Sequence, residues 1–264
     1  LGVGPFPRIE VAGAAVATVS AQLVVMLVMM VGVFRSKKEE NVLKGIRLFE
    51  PFSKEELGNI CKIGGPTAIQ GMVYCMISMV LTRMVAAFGA EAIATQRVGG
   101  QIESVSWNTA DGFAAALNAF VGQNYGAKKM DRVQKGYRIS FWTVAIWGAL
   151  IMLAFIIFPG PIARVFFHEE KAMEIAISYL IIIGFSEAFM CVELMTIGAL
   201  SGLGKTKLCS VISITATSMR IPLAMVLSRT SLGLDGIWWA LTLTSVAKGI
   251  IFYLTFRYQM REKC

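Results

Sequence analysis

Histidine is almost missing from this 264-residue chain: His168 is the only one. A single imidazole leaves no basis for a His-built metal site or a Ser-His-Asp triad within the chain. The five cysteines (Cys61, Cys75, Cys191, Cys209 and Cys264) follow neither a paired metal-ligand spacing nor the framework of a disulfide-rich secreted domain. Most fall in apolar stretches, where a thiol behaves as a small hydrophobe. Charge is scarce as well, at 16% of residues against about 25% in ordinary soluble domains. The segment SGLGKTK invites a nucleotide reading, but a phosphate loop requires glycine where this chain has Ala199, and a preceding strand where it has an apolar helix. It reads instead as a basic turn. No metal, cofactor or nucleic acid is expected.

What remains is hydrophobic. Apolar residues make up 56% of the sequence and mean hydropathy is +0.64. Runs of about 20 apolar residues, enough to cross the hydrocarbon core, recur along the chain. We read helices at 11–34, 60–88, 92–124, 138–158, 172–203, 208–229 and 236–256. Gly89, Pro159-Gly160-Pro161, Gly202-Leu203-Gly204 and Gly233-Leu234-Asp235-Gly236 punctuate them. The expected fold class is all-α, a polytopic membrane bundle of about seven spans. Several spans carry charge: Arg83, Arg97, Glu103, Asp111, Glu187, Glu193, Arg220 and Lys248. Each costs about 2.5–3.5 kcal/mol at bilayer depth on insertion scales, so such residues face a bundle interior or a wet pathway.

The net charge of +8 follows membrane topology rather than a nucleic-acid surface. Lys and Arg gather in RSKKEENVLKGIRLFEPFSKEE, GAKKMDRVQKGYR, GKTK and RYQMREKC, which alternate correctly across the spans. By the positive-inside rule these segments and the C-terminus are cytoplasmic. A start at Leu1 inside the loop-like LGVGPFPRIE leads us to expect a piece of a longer polypeptide. VAGAAVATVSAQ at Val11 and LDGIWWALTLTS at Leu234 align Gly13 with Gly236 and Ala17 with Ala240. Internal duplication is common in secondary transporters. If those helices end two equivalent repeats, one repeat is six spans.

Three segments carry a family resemblance: GVGPFPRIEVAGAAVAT near the start, Ile102 through FVGQNYGAKKMDRV, and GALSGLGKTK. In these the chain resembles the multidrug and toxic compound extrusion family over essentially its whole length. The resemblance implies twelve helices in two six-helix lobes around a V-shaped cleft, exporting drugs in exchange for Na⁺ or H⁺. It would make residues 1–57 the last helix of the N-terminal lobe with a cytoplasmic inter-lobe loop, and 58–264 the C-terminal lobe, the other lobe being a missing partner. Two departures bear on the coupling ion. Some family branches place a Glu after the proline of the lobe's first helix, whereas Pro66 here is followed by Gln70 and Tyr74. Some carry an Asp slightly before the position of Met190, where this chain has Glu187 and Glu193 to either side.

Gln96, Gly100, Glu103, Trp107 and Asp111, spaced four, three, four and four apart, share one helix face, with Asn108 beside them. Two readings stand together. In one the stripe faces a cleft, with carboxylates for a cation and a ring for a flat cationic drug; Asp111 is the deepest carboxylate on it. In the other, Glu103 or Asp111 pairs with Arg83, Arg97 or Arg220 to lock helices. Glu187 and Glu193 are separated by about 240° around a helix, so one is expected to face the lobe interior. Arg220 and Lys248 read either as partners of these carboxylates along the pathway or as structural ion pairs. Pro222 frees a carbonyl about four residues earlier and invites a kink.

The sequence thus predicts a cation-coupled multidrug efflux antiporter of the cell (inner) membrane, without catalytic residues. Its partners are small cationic or amphipathic drugs and membrane lipid. The alternatives are a flippase for a lipid-linked substrate, a non-transporting membrane scaffold or an integral membrane enzyme. Orientation can be checked directly. Cysteines introduced at 35–57, at 127–137 or in the tail should resist an impermeant thiol reagent added outside intact cells, and one near Thr230 should be labelled. The reverse pattern would overturn the orientation.

Overall fold

The computed structural model describes residues 10–35, 53–167 and 169–261. Most of the loop expected at 35–57, His168 and the end of the basic tail lie outside them. The chain divides into two compact units, Leu1–Lys54 and Glu55–Cys264. The first holds α1 (Glu10–Arg35), whose window Ala15–Gly32 has a mean hydropathy of 2.1 and is long enough to cross a bilayer.

The second unit is a bundle: α2 (Lys54–Ala86), α3 (Ala90–Gly126), α4 (Met130–Ile157), α5 (Pro159–Phe166), α6 (Glu170–Gly184), α7 (Glu187–Gly202), α8 (Thr206–Ser218), α9 (Arg220–Ser228) and α10 (Leu234–Arg261). Turns fall at the expected glycines: Gly89, Gly204 and Gly233 have φ of 113°, 75° and 53°, a region that side chains disfavour. Five described segments are long and apolar enough to span a membrane, and the bent pair α6–α7 makes a sixth. α3 is the exception in kind. At 37 residues it extends about 55 Å, yet its charges and amides keep its hydropathy low. Counted with the others, it completes the seven stretches expected from the sequence.

Three stretches differ in detail from that reading. The segment read as one helix at 172–203 is two, bent by 50° at Phe185-Ser186. The break is stable because its freed backbone is satisfied from within: Thr242 Oγ1 donates to the Ile182 carbonyl at 2.8 Å, and Ser186 Oγ to that of Ile183 at 2.9 Å. The segment 208–229 breaks at Met219. Pro222 has no N–H for the Ser218 carbonyl, and α8 ends at Ser218. Pro159-Gly160-Pro161 does not merely interrupt; Pro159 opens the short α5, as proline suits a first helical position.

α7 is central, with its main neighbours α3, α4 and α10. Small residues allow this. A Cβ on Gly198 would run into the Ala114 carbonyl, and one on Gly202 would lie 2.6 Å from the Asn118 carbonyl oxygen. Membrane helices associate by such backbone approach, since lipid supplies little hydrophobic drive between them. Apolar clusters fill both ends of the bundle. One gathers Leu117, Val133, Met195, Leu200 and Phe256; the other gathers Phe155, Leu180, Ile183 and Trp238. On α10, Lys248 lies between Trp238 of one and Phe252 of the other. Gly198→Ala should lower the unfolding temperature of the purified protein by several degrees. Gly100→Ala, whose Cβ meets nothing within 4 Å, should not. Equal behaviour of the two variants would remove the contact as the reason for the glycine.

Candidate functional site

Between the two apolar clusters α3, α6, α7, α9 and α10 bring a polar seam together. Lys248 on α10 donates to Glu193 Oε1 on α7 at 2.8 Å, with both side chains buried. Both alternatives raised for Lys248, a pathway partner and a structural ion pair, include such a contact. Arg220, the first residue of α9, is buried but bonds neutral oxygens: Nε to Thr244 Oγ1 at 3.0 Å and Nη2 to Ser245 Oγ at 2.9 Å. Its charge still acts on Glu103.

Glu103 on α3 is half-buried and accepts a hydrogen bond from the Tyr179 hydroxyl of α6. Gly99, one turn before Glu103, makes this possible, because a Cβ there would collide with the Tyr179 ring. Tyr179 is held edge-on against Trp238, with ring centroids 5.0 Å apart and planes at 86°. Glu187 opens α7 at the bend. It is 0% exposed, and neither carboxylate oxygen has a hydrogen-bond partner among the described residues. Ser106 lies close enough to act on Glu187 as a weak hydrogen-bonding neighbour, its hydroxyl also meeting Cys191 Sγ at 3.3 Å. Glu103 and Glu187 act on each other electrostatically.

The seam therefore holds Glu103, Glu187 and Glu193 against Arg220 and Lys248. A carboxylate is left over, and the geometry makes it Glu187. Charged and without a counter-ion, such a group costs several kcal/mol in a dry interior. A bound proton or small cation would remove that cost.

Five of the expected residues meet in this seam: Glu103, Glu187, Glu193, Arg220 and Lys248. Tyr74 on α2 is largely exposed but within electrostatic reach of Tyr179. Gln96 and Gln70 are half-buried, and Gln96 Oε1 has no hydrogen-bond partner among the described residues. Trp107, Asn108 and Asp111 lie exposed on α3. Of the two carboxylates of the stripe, Glu103 is the more enclosed and Asp111 the more exposed. The packed line of α3 runs through Ser106, Ala110 and Ala114, and Asp111 falls one residue beyond it. Glu187 and Glu193 point different ways around α7, yet both are buried, because α7 is enclosed by its neighbours. Sequence reasoning missed Tyr179, Ser106, Thr244 and Ser245. A lone tyrosine within ISYLIIIGF was the available signal for the first.

With known proteins the chain shares both sequence and fold. The family model MatE matches residues 66–226. A probable multidrug resistance protein NorM of Thermotoga maritima is 29% identical over 97% of the chain and 55% of its own length. A probable multidrug resistance protein YoeA of Bacillus subtilis is 25% identical over 100% and 57%. An FAD transporter of Shewanella oneidensis is 25% identical over 96% and 55%. The chain thus spans about half the length of the curated relatives it matches. Among solved structures, an outward-facing MATE family transporter of the MOP superfamily superposes with a TM-score of 0.84 at 20% identity, over 97% of the chain and 57% of that structure. A transporter of the same superfamily from Pyrococcus furiosus, whose binding pocket is described as having reverse polarity, gives 0.83 at 22%, over 97% and 57%.

Breaking the buried pair should be costly and removing it should not. Lys248→Met strands Glu193 and should destabilise the protein by about 3–5 kcal/mol. Lys248→Met with Glu193→Leu should recover most of that in thermal unfolding. A double variant no more stable than the single one would show that something other than the stranded charge is lost.

Proposed function

The chain belongs to the MatE family of multidrug and toxic compound extrusion proteins, and from there we propose that it forms one lobe of a cation-coupled antiporter exporting cationic or amphipathic drugs. It is a multi-pass membrane protein and its family is one of transporters. We place it in the cell (inner) membrane with a cytoplasmic C-terminus, working against a second six-helix lobe across a shared cleft, and give it no enzymatic role.

Glu187 carries this reading: a fully buried carboxylate at a bend in a membrane span, left without a partner once the other charges are accounted for. A group in that state has a use for one exchangeable cation. Proton or Na⁺ arriving at Glu187 neutralises the excess carboxylate and favours the conformation that keeps it enclosed. Release favours one that exposes it. Exchange requires drug to bind the second conformation better, since a ligand shifts an equilibrium only by its differential affinity. Glu103 supplies the link: it interacts with Glu187 and lies on the α3 stripe that also carries Trp107 and Asp111. There we place the drug, with the indole face and the Asp111 charge supporting a flat cation. One carboxylate suffices for a proton, whereas Na⁺ needs several oxygens, so we favour the proton.

The test is efflux by the full-length transporter in a drug-hypersensitive host, measured across a pH and Na⁺ series. Glu187→Gln should reach the membrane at normal abundance, lose at least tenfold in efflux rate and lose its pH dependence. Asp111→Asn should weaken export of cationic drugs while keeping the pH dependence. Wild-type rates and ion dependence for Glu187→Gln would overturn the coupling assignment, and a Na⁺ rather than pH dependence of the wild type would replace the proton. Export of an anionic flavin nucleotide in preference to cations would overturn the substrate class.

A further inference from the structure

Away from the polar seam, the beginning of α4 and the end of α10 line an open cavity of about 670 Å³. Its chemistry differs from that of the α3 stripe. Lys135 and Arg138 stand three apart on α4, and Arg257 and Arg261 four apart on α10, so each pair shares a helix face. Asp131 is the single carboxylate among the lining residues, leaving a formal charge of +3. The floor is aromatic: Tyr137 stacks on Phe256 with centroids 3.6 Å apart, and Phe141 lies 5.2 Å from Tyr253. Arg257 sits 5.9 Å from the centre of the Tyr253 ring. Nothing in the transport cycle proposed above uses these groups.

The surface next to the cavity indicates what fills it. Trp142, Ile146, Leu150, Leu153 and Ile157 form a continuous exposed apolar strip running away from the basic end of α4. On α10, Ile250, Ile251 and Leu254 do the same, with Tyr258 exposed beside Arg257. On α3, by contrast, the exposed positions include Gln101, Asn108, Asp111 and Asn118. Lipid tails fit the first kind of surface and water the second. A tryptophan and tyrosines at the junction of apolar strip and cations match the interfacial level of a bilayer. Basic pockets between helices at that level suit phosphate-bearing headgroups.

We infer that the cavity between α4 and α10 is a binding site for the headgroup of an anionic phospholipid in the leaflet on the C-terminal side, with the acyl chains along the exposed strips of α4 and α10. Arg138 and Arg257 present forked donors to the phosphate from opposite walls. The rings below hold the helices apart at a fixed distance, so that the gap persists. The inference depends on the chain being a membrane protein but not on its coupling ion or its substrate.

The experiment uses the full-length protein purified in neutral detergent. Native mass spectrometry and thermal unfolding follow additions of phosphatidylglycerol, cardiolipin, phosphatidylcholine or inorganic phosphate. The anionic lipids should remain bound and raise the unfolding temperature by several degrees; phosphatidylcholine and inorganic phosphate should do neither. Arg138→Gln with Arg257→Gln should weaken lipid retention at least tenfold and abolish the shift, whereas Lys205→Gln, outside the cavity, should leave both intact. If the double variant fails to fold, Lys135→Gln with Arg261→Gln tests the same walls from the exposed side. Equal retention of phosphatidylcholine overturns headgroup recognition. An equal effect of inorganic phosphate makes this a free-anion site and overturns the lipid. Wild-type retention by the cavity variants overturns the location.

Discussion

Glycine and alanine between α3 and α7 set how near the two backbones come, and most of the lobe follows from that distance. With Gly198 against the Ala114 carbonyl and Gly202 against that of Asn118, α7 sinks to the middle of the bundle. A helix in that position keeps one exposed residue, Phe189, and little surface on which to place a charge. Glu187 and Glu193 are therefore enclosed whichever way they point around it. The bundle then has to supply cations, as Lys248 does for Glu193, or leave a carboxylate without a counter-ion among the described residues, as at Glu187. Larger residues at the α3–α7 contact would push α7 outward, and the charge balance of the seam would no longer be forced.

The bend between α6 and α7 belongs to the same logic. An unbroken helix satisfies its own backbone and offers an ion only side chains. At Phe185-Ser186 the backbone turns, and the carbonyls of Ile182 and Ile183 are answered by Thr242 and Ser186. Glu187 sits at the first turn after the bend, where the helix has N–H groups without intrahelical partners. α9 begins in a similar way at Arg220, beyond the carbonyl that Pro222 cannot serve. A carboxylate and a guanidinium thus open the second halves of two broken spans. Both breaks put charge within a span, and at the α6–α7 bend the freed backbone is satisfied, the condition for irregular structure at membrane depth.

Much of this was legible in the residues, and the parts that were not share a cause. Spans could be read because hydropathy and glycine or proline turns are local signals. The α8–α9 break could be read for the same reason, since Pro222 lacks its donor regardless of context. The α6–α7 bend could not: 172–203 is continuously apolar, and the groups that stabilise the bend lie partly on α10, some 60 residues away. The α3 stripe was visible from its spacing, but its division was not. Whether Glu103 or Asp111 is more enclosed depends on where Tyr179 reaches past Gly99, which is a tertiary fact. Likewise the sequence named both cations of the seam but not their partners. Lys248 took a carboxylate and Arg220 took two hydroxyls, Thr244 and Ser245, on the helix that also carries Lys248.

The bundle as a whole separates three surfaces by chemistry. α3 exposes amides and a carboxylate among Val105, Trp107, Phe113 and Phe120. α4 and α10 expose branched aliphatics that end in rings and cations. The interior between them holds ion-paired and hydrogen-bonded charge with Glu187 left over. A lobe that rocks as a rigid body in a membrane needs this separation, because the surface turned to lipid must stay anchored at its interface while the surface turned to water changes what it faces. Cations and rings at the α4–α10 end would fix the depth of the lobe against the headgroups. A carboxylate whose charge depends on an exchangeable ion would then set which way the polar face opens. α10 would join the two roles, since it carries Lys248, Thr244 and Ser245 of the seam and, further on, Arg257 and Arg261 of the basic end.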